Sequence, residues 1–242
     1  MVDKLLLRLF KQNSETAVRR FLLNQLDIED IPFERDKIGN LFYLGYKKKP
    51  LLCAHMDFIK FQNPEIRVYK HYLVGKSMGG DDKAGIYIIL KILKELKTNY
   101  IFTVGEETGA RGIRFFLSNN KLDVPYALVL DRRGAGDILC TKNHYGSKEF
   151  EKILVLIGRK YGFSPNRGTF SDANAISKHI SCANLSVGYY YPHTPCDIVN
   201  IKEMMNSYRF VKECITTIKG KFENDIHTEV EYPRWMRGMD FL

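Results

Sequence analysis

The chain has 242 residues, of which 45% are hydrophobic and 27% charged, with a formal net charge of +9. Single cores grow to roughly 250 residues before chains divide, so we expect one domain over residues 1–242 and no global disorder. No run approaches the roughly 18 apolar residues that cross a bilayer, and charged residues interrupt the first dozen positions, so neither a membrane protein nor a secretory signal is indicated.

The positive charge is dispersed along the chain. Its one compact run, Lys47 to Lys49, precedes Pro50 and is typical of a solvated loop, so we expect no nucleic-acid partner and leave a preference for acidic substrates open. The five cysteines form no CxxC pair, and an odd, scattered set is typical of free thiols in a reducing compartment. We therefore predict a cytoplasmic protein.

Hydrophobic periodicity predicts helices that alternate with short strands. An amphipathic helix is predicted at 15–26, after a Ser14 N-cap, and a further helix precedes it near 5–10. The other predicted helices are 83–96, 112–117, 148–161, 172–178 and 202–218. The predicted strands are 41–44, 51–54, 68–74, 100–104, 126–130, 138–140 and 183–187.

This alternation is typical of a three-layer α/β/α sandwich with a mixed, mostly parallel central sheet. We find no internal repeat and no Pro, Gly or Ser-rich linker. Residues 231–242 lack periodicity and are a candidate C-terminal arm.

Acidic and imidazole side chains follow several of the predicted strands, where α/β sheets place their ligand sites. His55 and Asp57 come directly after strand 51–54, with a spacing that directs both side chains to one side of an extended chain. The imidazole suits a metal ion, and the carboxylate suits a partner that orients the imidazole.

A glycine-flanked acidic turn, Gly79 to Gly85, opens the helix 83–96. A carboxylate there can bridge two cations about 3.5–4 Å apart, as in two-metal hydrolysis, and Asp81 is the predicted bridge. Glu106 and Glu107 follow strand 100–104, where adjacent carboxylates would repel unless a cation or proton neutralises one of them. One of the two can bind metal while the other accepts a proton from water.

Asp131 closes strand 126–130 and offers another oxygen ligand, and His193 lies between two prolines after three tyrosines. Two imidazoles and three carboxylates, shared over two ions, provide three protein ligands for each metal and leave room for water and substrate. Each cluster alone has an ordinary explanation, because aspartates cap helices and surface carboxylates pair with arginines. Their joint occurrence at strand ends favours a metal site.

Together these motifs resemble the co-catalytic di-zinc exopeptidases, a group that includes peptidase T, the tetrahedral aminopeptidases and single-domain leucyl aminopeptidases. The resemblance rests on five motifs in chain order: His55-Met56-Asp57, Gly80-Asp81-Asp82-Lys83-Ala84-Gly85, Gly105-Glu106-Glu107-Thr108-Gly109, Leu130-Asp131 and His193-Thr194-Pro195. The earlier stretch Asp36-Lys37-Ile38-Gly39-Asn40 also resembles one found in this group.

The resemblance implies two divalent metal ions. Zinc is the metal that it favours, with cobalt or manganese as alternatives. One ion would be held by His55, Asp81 and Asp131, and the other by Asp81, Glu107 and His193. Glu106 would be the general base and Asp57 the partner of His55. It also implies a cis peptide after Asp81 and a part for Asp172 in substrate binding.

The chain departs from two branches of this group. Only 25 residues separate His55 from Asp81, and 61 separate Asp131 from His193, so neither the lid nor the dimerisation insertion of those branches is expected. The resemblance is therefore to a catalytic domain alone, closest in architecture to the single-domain aminopeptidases. A homo-oligomer, in which a neighbouring subunit covers the exposed side of the site, remains an alternative.

The first functional hypothesis is an aminopeptidase acting on small peptide or aminoacyl substrates, in which Glu106 deprotonates a water that bridges the two metals. Arg132, Tyr190 and Tyr191 are the candidates for stabilising the oxyanion. The alternatives are a deacylase of N-acyl amino acids, a glutaminyl cyclase-like enzyme and, from another class, a non-catalytic interaction protein that keeps the fold.

Overall fold

The computed structural model describes residues 2–59, 65–76 and 78–224. The helices are α1 (Lys4–Phe10), α2 (Glu15–Ile28), α3 (Gly80–Leu93), α4 (Arg111–Asn119), α5 (Lys148–Gly158), α6 (Ala173–Ile176) and α7 (Ile201–Thr217). The strands are β1 (Glu34–Arg35), β2 (Leu41–Tyr43), β3 (Leu51–His55), β4 (Ile66–Tyr69), β5 (Tyr72–Gly75), β6 (Asn99–Thr103), β7 (Ala127–Arg132), β8 (Asp137–Leu139), β9 (Ser164–Pro165), β10 (Cys182–Ser186), β11 (Tyr189–Tyr190) and β12 (Asp197–Asn200). The candidate arm at 231–242 lies outside the described residues.

Eight strands form the main sheet, in the order β1, β2, β6, β3, β7, β10, β8, β9. The four central strands β6, β3, β7 and β10 are parallel to one another, while β2 and β8 join this group antiparallel on either side. The predicted mixed, mostly parallel sheet is confirmed. Because parallel strands all end at the same edge, residues that follow β3, β6 and β7 are brought close together.

Side chains that alternate along the central strands enter two separate cores. In β3, Leu52 and Ala54 face the core that contains α1, α2, α3, α5 and α7, whereas Leu51 and Cys53 face the core beneath α4 and α6. This period of two is what a strand buried on both faces produces. The three-layer α/β/α arrangement is therefore confirmed, with a thick helical layer on one face and a thin one on the other.

A smaller antiparallel sheet, in the order β11, β12, β5, β4, was not predicted. The single strand predicted at 68–74 is wrong, because the chain turns there through Lys70 and His71 and pairs Tyr69 with Tyr72. Lys70 has a φ of 53°, in the left-handed region. Glycine or asparagine usually marks such a hairpin turn in a sequence, and neither occurs at this turn. The small sheet carries the loop between β11 and β12, which contains His193.

No helix in the described part of the chain is long and apolar enough to cross a membrane.

Candidate active site

His55 is the last residue of β3 and is almost completely buried, with 2% of its surface exposed. Its Nδ1 lies 2.8 Å from the backbone oxygen of Asp57 and its Nε2 lies 3.2 Å from Asp131 Oδ1. If Nδ1 carries the proton and donates a hydrogen bond to that carbonyl, the lone pair of Nε2 is directed towards the carboxylates. The chain thus orients this imidazole through a backbone atom.

The carboxylate of Asp57 accepts hydrogen bonds from the backbone of Glu106 and Glu107, whereas His55 was the partner expected for it. Its Oδ1 accepts a hydrogen bond from the backbone N–H of Glu106 at 2.9 Å, and its Oδ2 accepts one from Glu107 at 3.1 Å. The nearest approach of this carboxylate to His55 Nδ1 is 3.7 Å. Asp57 therefore holds the turn that carries the two glutamates and contacts His55 mainly through its own carbonyl.

The Glu106–Glu107 turn is supported from its other side by Asn40. The Asn40 side chain accepts from the N–H of Val104 at 2.9 Å and donates to the carbonyl of Gly112 at 2.9 Å. Asp36 in turn accepts the Asn40 backbone N–H at 2.9 Å. The early Asp-x-x-Gly-Asn stretch thus ties both ends of the segment from β6 to α4, which limits how far the glutamates can move.

Asp81 lies in the first turn of α3 and is 4% exposed. The chain enters this helix through Gly79 in the left-handed region, with a φ of 67°. Gly85 allows α3 to pack on β7, since a Cβ there would stand 2.1 Å from the Leu130 carbonyl oxygen. The implied cis peptide after Asp81 is wrong, because all peptides of the described residues, including this one, are trans.

His193 brings the loop between β11 and β12 onto the other ligands. Its Nε2 lies 2.7 Å from Asp81 Oδ2 and 2.6 Å from Glu107 Oε1. Its φ is 60°, an uncommon backbone conformation for a residue with a side chain. Backbone strain of this kind is maintained where surrounding contacts specify it, as at binding sites.

Asp131 closes the group from β7. Its backbone N–H donates to the Asn184 side chain at 3.2 Å, and its carbonyl accepts from the Tyr189 hydroxyl at 3.0 Å. These two contacts fix the strand end from which its carboxylate reaches His55.

The charged groups of the site shift one another's pKa values. Hydrogen bonds that His193 donates to the Asp81 and Glu107 carboxylates raise the pKa of His193 to about 10. Burial lowers the pKa of His55, but the charge of Asp131 and hydrogen bonds to carboxylates outweigh it and hold that pKa well above its usual range. Burial raises the pKa of Glu106 to about 8, a shift opposed by His55 and reinforced by Asp131. Such a buried, acid-rich group favours positive charge between its members.

The donor atoms fit divalent cations. Single ligand atoms of Asp81, Glu107 and His193 lie within 4.8 Å of one another, which is the set expected for one ion. For the other ion, the expected set of His55, Asp81 and Asp131 shows the 3.2 Å contact between His55 and Asp131, while the compact group around His55 contains Glu106 and Glu107. Imidazole nitrogens together with carboxylate oxygens suit zinc and similar metals.

A cavity of about 320 Å³ opens over this cluster. Arg132 and Arg133 line it, together with Asn184, Tyr189 and Phe170. Arg132 donates through Nε to Asp137 at 2.9 Å, whereas Arg133 is exposed and forms no ion pair with the described residues. One guanidinium is thus neutralised at the cavity wall and the other is available.

Three other residues expected near the substrate lie outside the described lining of this cavity. Asp172 is buried beneath it and accepts from the Thr103 hydroxyl at 2.6 Å, and burial raises its pKa to about 6. Tyr190 donates its hydroxyl to Glu203 at 2.6 Å, and Tyr191 is 63% exposed.

Sequence reasoning singled out the stretch from Asp36 to Asn40 without giving Asn40 a role, and it missed the supporting residues Asn184 and Tyr189. Adjacent residues of an extended chain face opposite sides, so Tyr189 and Tyr190 cannot both face the same way. This alternation was a usable sequence signal for Tyr189. Asn184 sits on β10, which pairs with β7 from more than 50 residues away, so no local pattern indicated it.

Comparison with known proteins places these observations in a family. The model of the M42 glutamyl aminopeptidase family matches residues 47–210, more than half of the chain. No match was found among curated proteins.

Solved structures with the same fold include several aminopeptidases. The PepT aminopeptidase of Bacillus cereus ATCC 10987 is 17% identical and superimposes with a TM-score of 0.71 over 87% of this chain and 96% of that one. The TET1 peptidase of Pyrococcus horikoshii is 16% identical, with a TM-score of 0.69 over 88% and 99% of the two chains. A TET aminopeptidase from a marine sediment thaumarchaeon is 13% identical, with a TM-score of 0.72 over 89% and 97%.

Proposed function

Because the chain belongs to the M42 glutamyl aminopeptidase family and is therefore a metal-dependent aminopeptidase, we propose that Glu106 is its general base and that His55, Asp81, Glu107, Asp131 and His193 hold two divalent ions. The single observation that carries this proposal is the convergence of His193 on both Asp81 and Glu107, at 2.7 and 2.6 Å. The family match favours aminopeptidase activity over the deacylase, cyclase and non-catalytic alternatives.

The mechanism assigns separate tasks to the two adjacent glutamates. Two divalent ions at this site would polarise the scissile carbonyl and lower the pKa of water. Glu106, half-buried at the cavity wall, accepts the proton of the attacking water and returns it to the leaving amine. Burial raises the pKa of Glu106 to about 8 in the metal-free protein, and two cations beside it would lower that pKa, so that the carboxylate is ionised when it accepts the proton.

The positions of the glutamates depend on Asp57. Its two carboxylate oxygens hold the amides of both glutamates, so Glu107 can stay on His193 and Asp81 while Glu106 remains free. We assign Asp57 as a positioning residue, because its described contacts are to the turn and to His55.

The test is Glu106→Gln, with Glu149→Gln on the exposed start of α5 as the matched control. Loss of a general base costs roughly 10²–10⁴-fold in kcat. Hydrolysis of aminoacyl anilides should fall by that factor in Glu106→Gln, with bound metal unchanged by elemental analysis, and stay at the wild-type rate in the control. Wild-type turnover in Glu106→Gln would refute the assignment.

The same site supports a preference for acidic N-terminal residues. The family description names glutamyl substrates, and Arg133 lines the cavity as a cation without a carboxylate partner among the described residues. An exposed charge pair contributes about 0.2–1 kcal/mol. Arg133→Gln should therefore lower kcat/KM for a glutamyl anilide about threefold and leave a leucyl anilide unchanged; equal effects on both substrates would contradict this role.

We also propose zinc as the native metal, a single catalytic domain and a cytoplasmic location. The donor set supports zinc, and four buried free cysteines support a reducing compartment. Structural neighbours described as a dodecamer, or as a tetrahedron and octahedral shell, make a homo-oligomer worth testing by light scattering.

A further inference from the structure

A second cavity of about 570 Å³ lies on the thin helical face of the molecule, between α4 and α6. Its apolar floor is formed by Leu117, Phe170 and Ala175. Arg114, Lys178 and His179 contribute basic groups, and the described lining contains no aspartate or glutamate. We call this feature the α4–α6 groove.

The groove adjoins the metal cluster. Phe170, which is 49% exposed, lines both the groove and the cavity over the metal ligands. Helix α4 starts at Arg111, only four residues after Glu107, so it begins at the active site and runs away from it. Arg114 lies in the first turn of this helix and faces the groove.

An aminopeptidase that acts on longer peptides must accommodate the chain beyond the scissile bond. Because the enzyme removes one N-terminal residue at a time, the whole remainder of the peptide lies beyond the scissile bond and must leave the metal cavity. That cavity, at about 320 Å³, is at the lower end of the usual range for ligand pockets, which is about 300–1,000 Å³. A longer substrate that passes from this cavity to the groove would cross the half-exposed ring of Phe170, which lines both.

We propose that the α4–α6 groove binds the segment of a peptide substrate that follows the scissile bond, and that Arg114 and Lys178 select carboxylates in that segment. This inference rests on the proposed aminopeptidase function and deepens it. The groove accommodates apolar side chains along its floor while its rim attracts acidic side chains or the free C-terminus. An extended peptide advances roughly 3.3–3.6 Å per residue, so about two residues span the distance along α4 from Arg114 to Ser118, about 6 Å.

The experiment compares substrates that differ only beyond the scissile bond. One hexapeptide carries glutamates at its fourth and fifth positions and its analogue carries glutamines there, each made with a free C-terminus and with a C-terminal amide. An aminoacyl anilide with the same first residue reports the chemistry alone. The enzymes are the wild type, the double variant Arg114→Gln/Lys178→Gln, and the control Lys152→Gln/Arg159→Gln. This control removes two exposed charges, one from α5 and one from the residue that caps its C-terminus, on the opposite face of the sheet.

The wild type should show about fivefold higher kcat/KM for the glutamate hexapeptide than for the glutamine analogue, because two exposed charge pairs act together. The Arg114→Gln/Lys178→Gln variant should lose this ratio and keep the wild-type rate on the anilide. A preference that follows the glutamates identifies side-chain carboxylates, and one that follows the free terminus identifies the C-terminal carboxylate. An unchanged ratio in the groove variant, or an equal loss in the α5 control, overturns the proposal.

A binding measurement separates this inference from the proposed function. Fluorescence anisotropy of the labelled hexapeptides on Glu106→Gln protein should give an about fivefold lower Kd for the glutamate peptide, abolished when Arg114→Gln and Lys178→Gln are added. Equal Kd values for the glutamate and glutamine peptides, with no difference between the free and the amidated C-termini, overturn the groove assignment. Failure of the wild type to hydrolyse any substrate would instead overturn the proposed function, and the anisotropy result would still decide whether the groove binds.

Discussion

Replacing Asp57 by asparagine tests how the site is held together. The substitution keeps the size of the side chain but leaves one acceptor oxygen where two now accept the amides of Glu106 and Glu107, at 2.9 and 3.1 Å. A hydrogen bond to a charged group contributes about 1.5–3 kcal/mol, and the new NH2 group would face a backbone N–H. We expect Asp57→Asn to lower the free energy of unfolding by about 2–3 kcal/mol, since the carboxylate is only 14% exposed.

The same change should reduce activity without emptying the metal site. A displacement of about 1 Å at a reacting group can cost about 10²-fold in rate, so kcat/KM of Asp57→Asn should fall by roughly that factor. His55 should keep its orientation, because its Nδ1 contacts the backbone oxygen of Asp57 at 2.8 Å. The measurements are urea unfolding of the metal-loaded protein, kcat/KM on an aminoacyl anilide and elemental analysis of bound metal.

Asp3→Asn is the matched control. The Asp3 carboxylate also accepts two hydrogen bonds, from the Leu5 amide at 2.9 Å and the Tyr87 hydroxyl at 2.6 Å, outside the described lining of the catalytic cavity. It should lose stability and keep kcat/KM. Wild-type unfolding and turnover in Asp57→Asn would refute the role given to its carboxylate, and a loss of metal with unchanged stability would show that the carboxylate acts on His55.

Three further outcomes are expected. Treatment with a chelator should abolish hydrolysis and lower the melting temperature, because buried carboxylates lose the cations that neutralise them. Added Zn²⁺ should restore both the activity and the melting temperature. Full activity in metal-free protein would contradict the metal assignment. Gly85→Ala should destabilise the fold by roughly 1–3 kcal/mol in urea unfolding, since its Cβ would stand 2.1 Å from the Leu130 carbonyl oxygen, and an unchanged midpoint would show that α3 can move away from β7. Burial raises the pKa of Asp197 to about 7, so in metal-free protein its protonated form stabilises the fold fully below about pH 4, and this contribution is lost as the pH rises towards 7. Asp197→Asn should flatten the dependence of unfolding free energy on pH across that window, and a slope equal to that of the wild type would contradict the shift.

Much of the site could be predicted from local sequence signals. The acidic and imidazole clusters follow predicted strands, and the structure brings them to one edge of the sheet because β3, β6 and β7 are parallel neighbours. Their roles as ligands and base stay predictions, but their proximity is a property of the fold. The order of helices and strands was likewise readable from apolar periodicity, with element ends shifted by a few residues.

Other features had no local signal. The hairpin of β4 and β5 turns at Lys70 without a glycine or proline, so its two strands read as one. The second sheet depends on β12 pairing with β5, whose residues are more than 100 positions earlier in the chain. The α4–α6 groove also arises only when two separate segments pack side by side.

Local sequence patterns specify which residue types end the strands and which faces of those strands are apolar, and hence the α/β class and the list of candidate ligands. Which atoms meet depends on how the whole chain folds. His193 reaches Asp81 across 112 positions of sequence, and the Asp57 carboxylate turns to the amides of Glu106 and Glu107 while its carbonyl takes His55. Periodicity is set by local backbone geometry, whereas these contacts depend on strand order and loop paths, which follow from the packing of the whole chain.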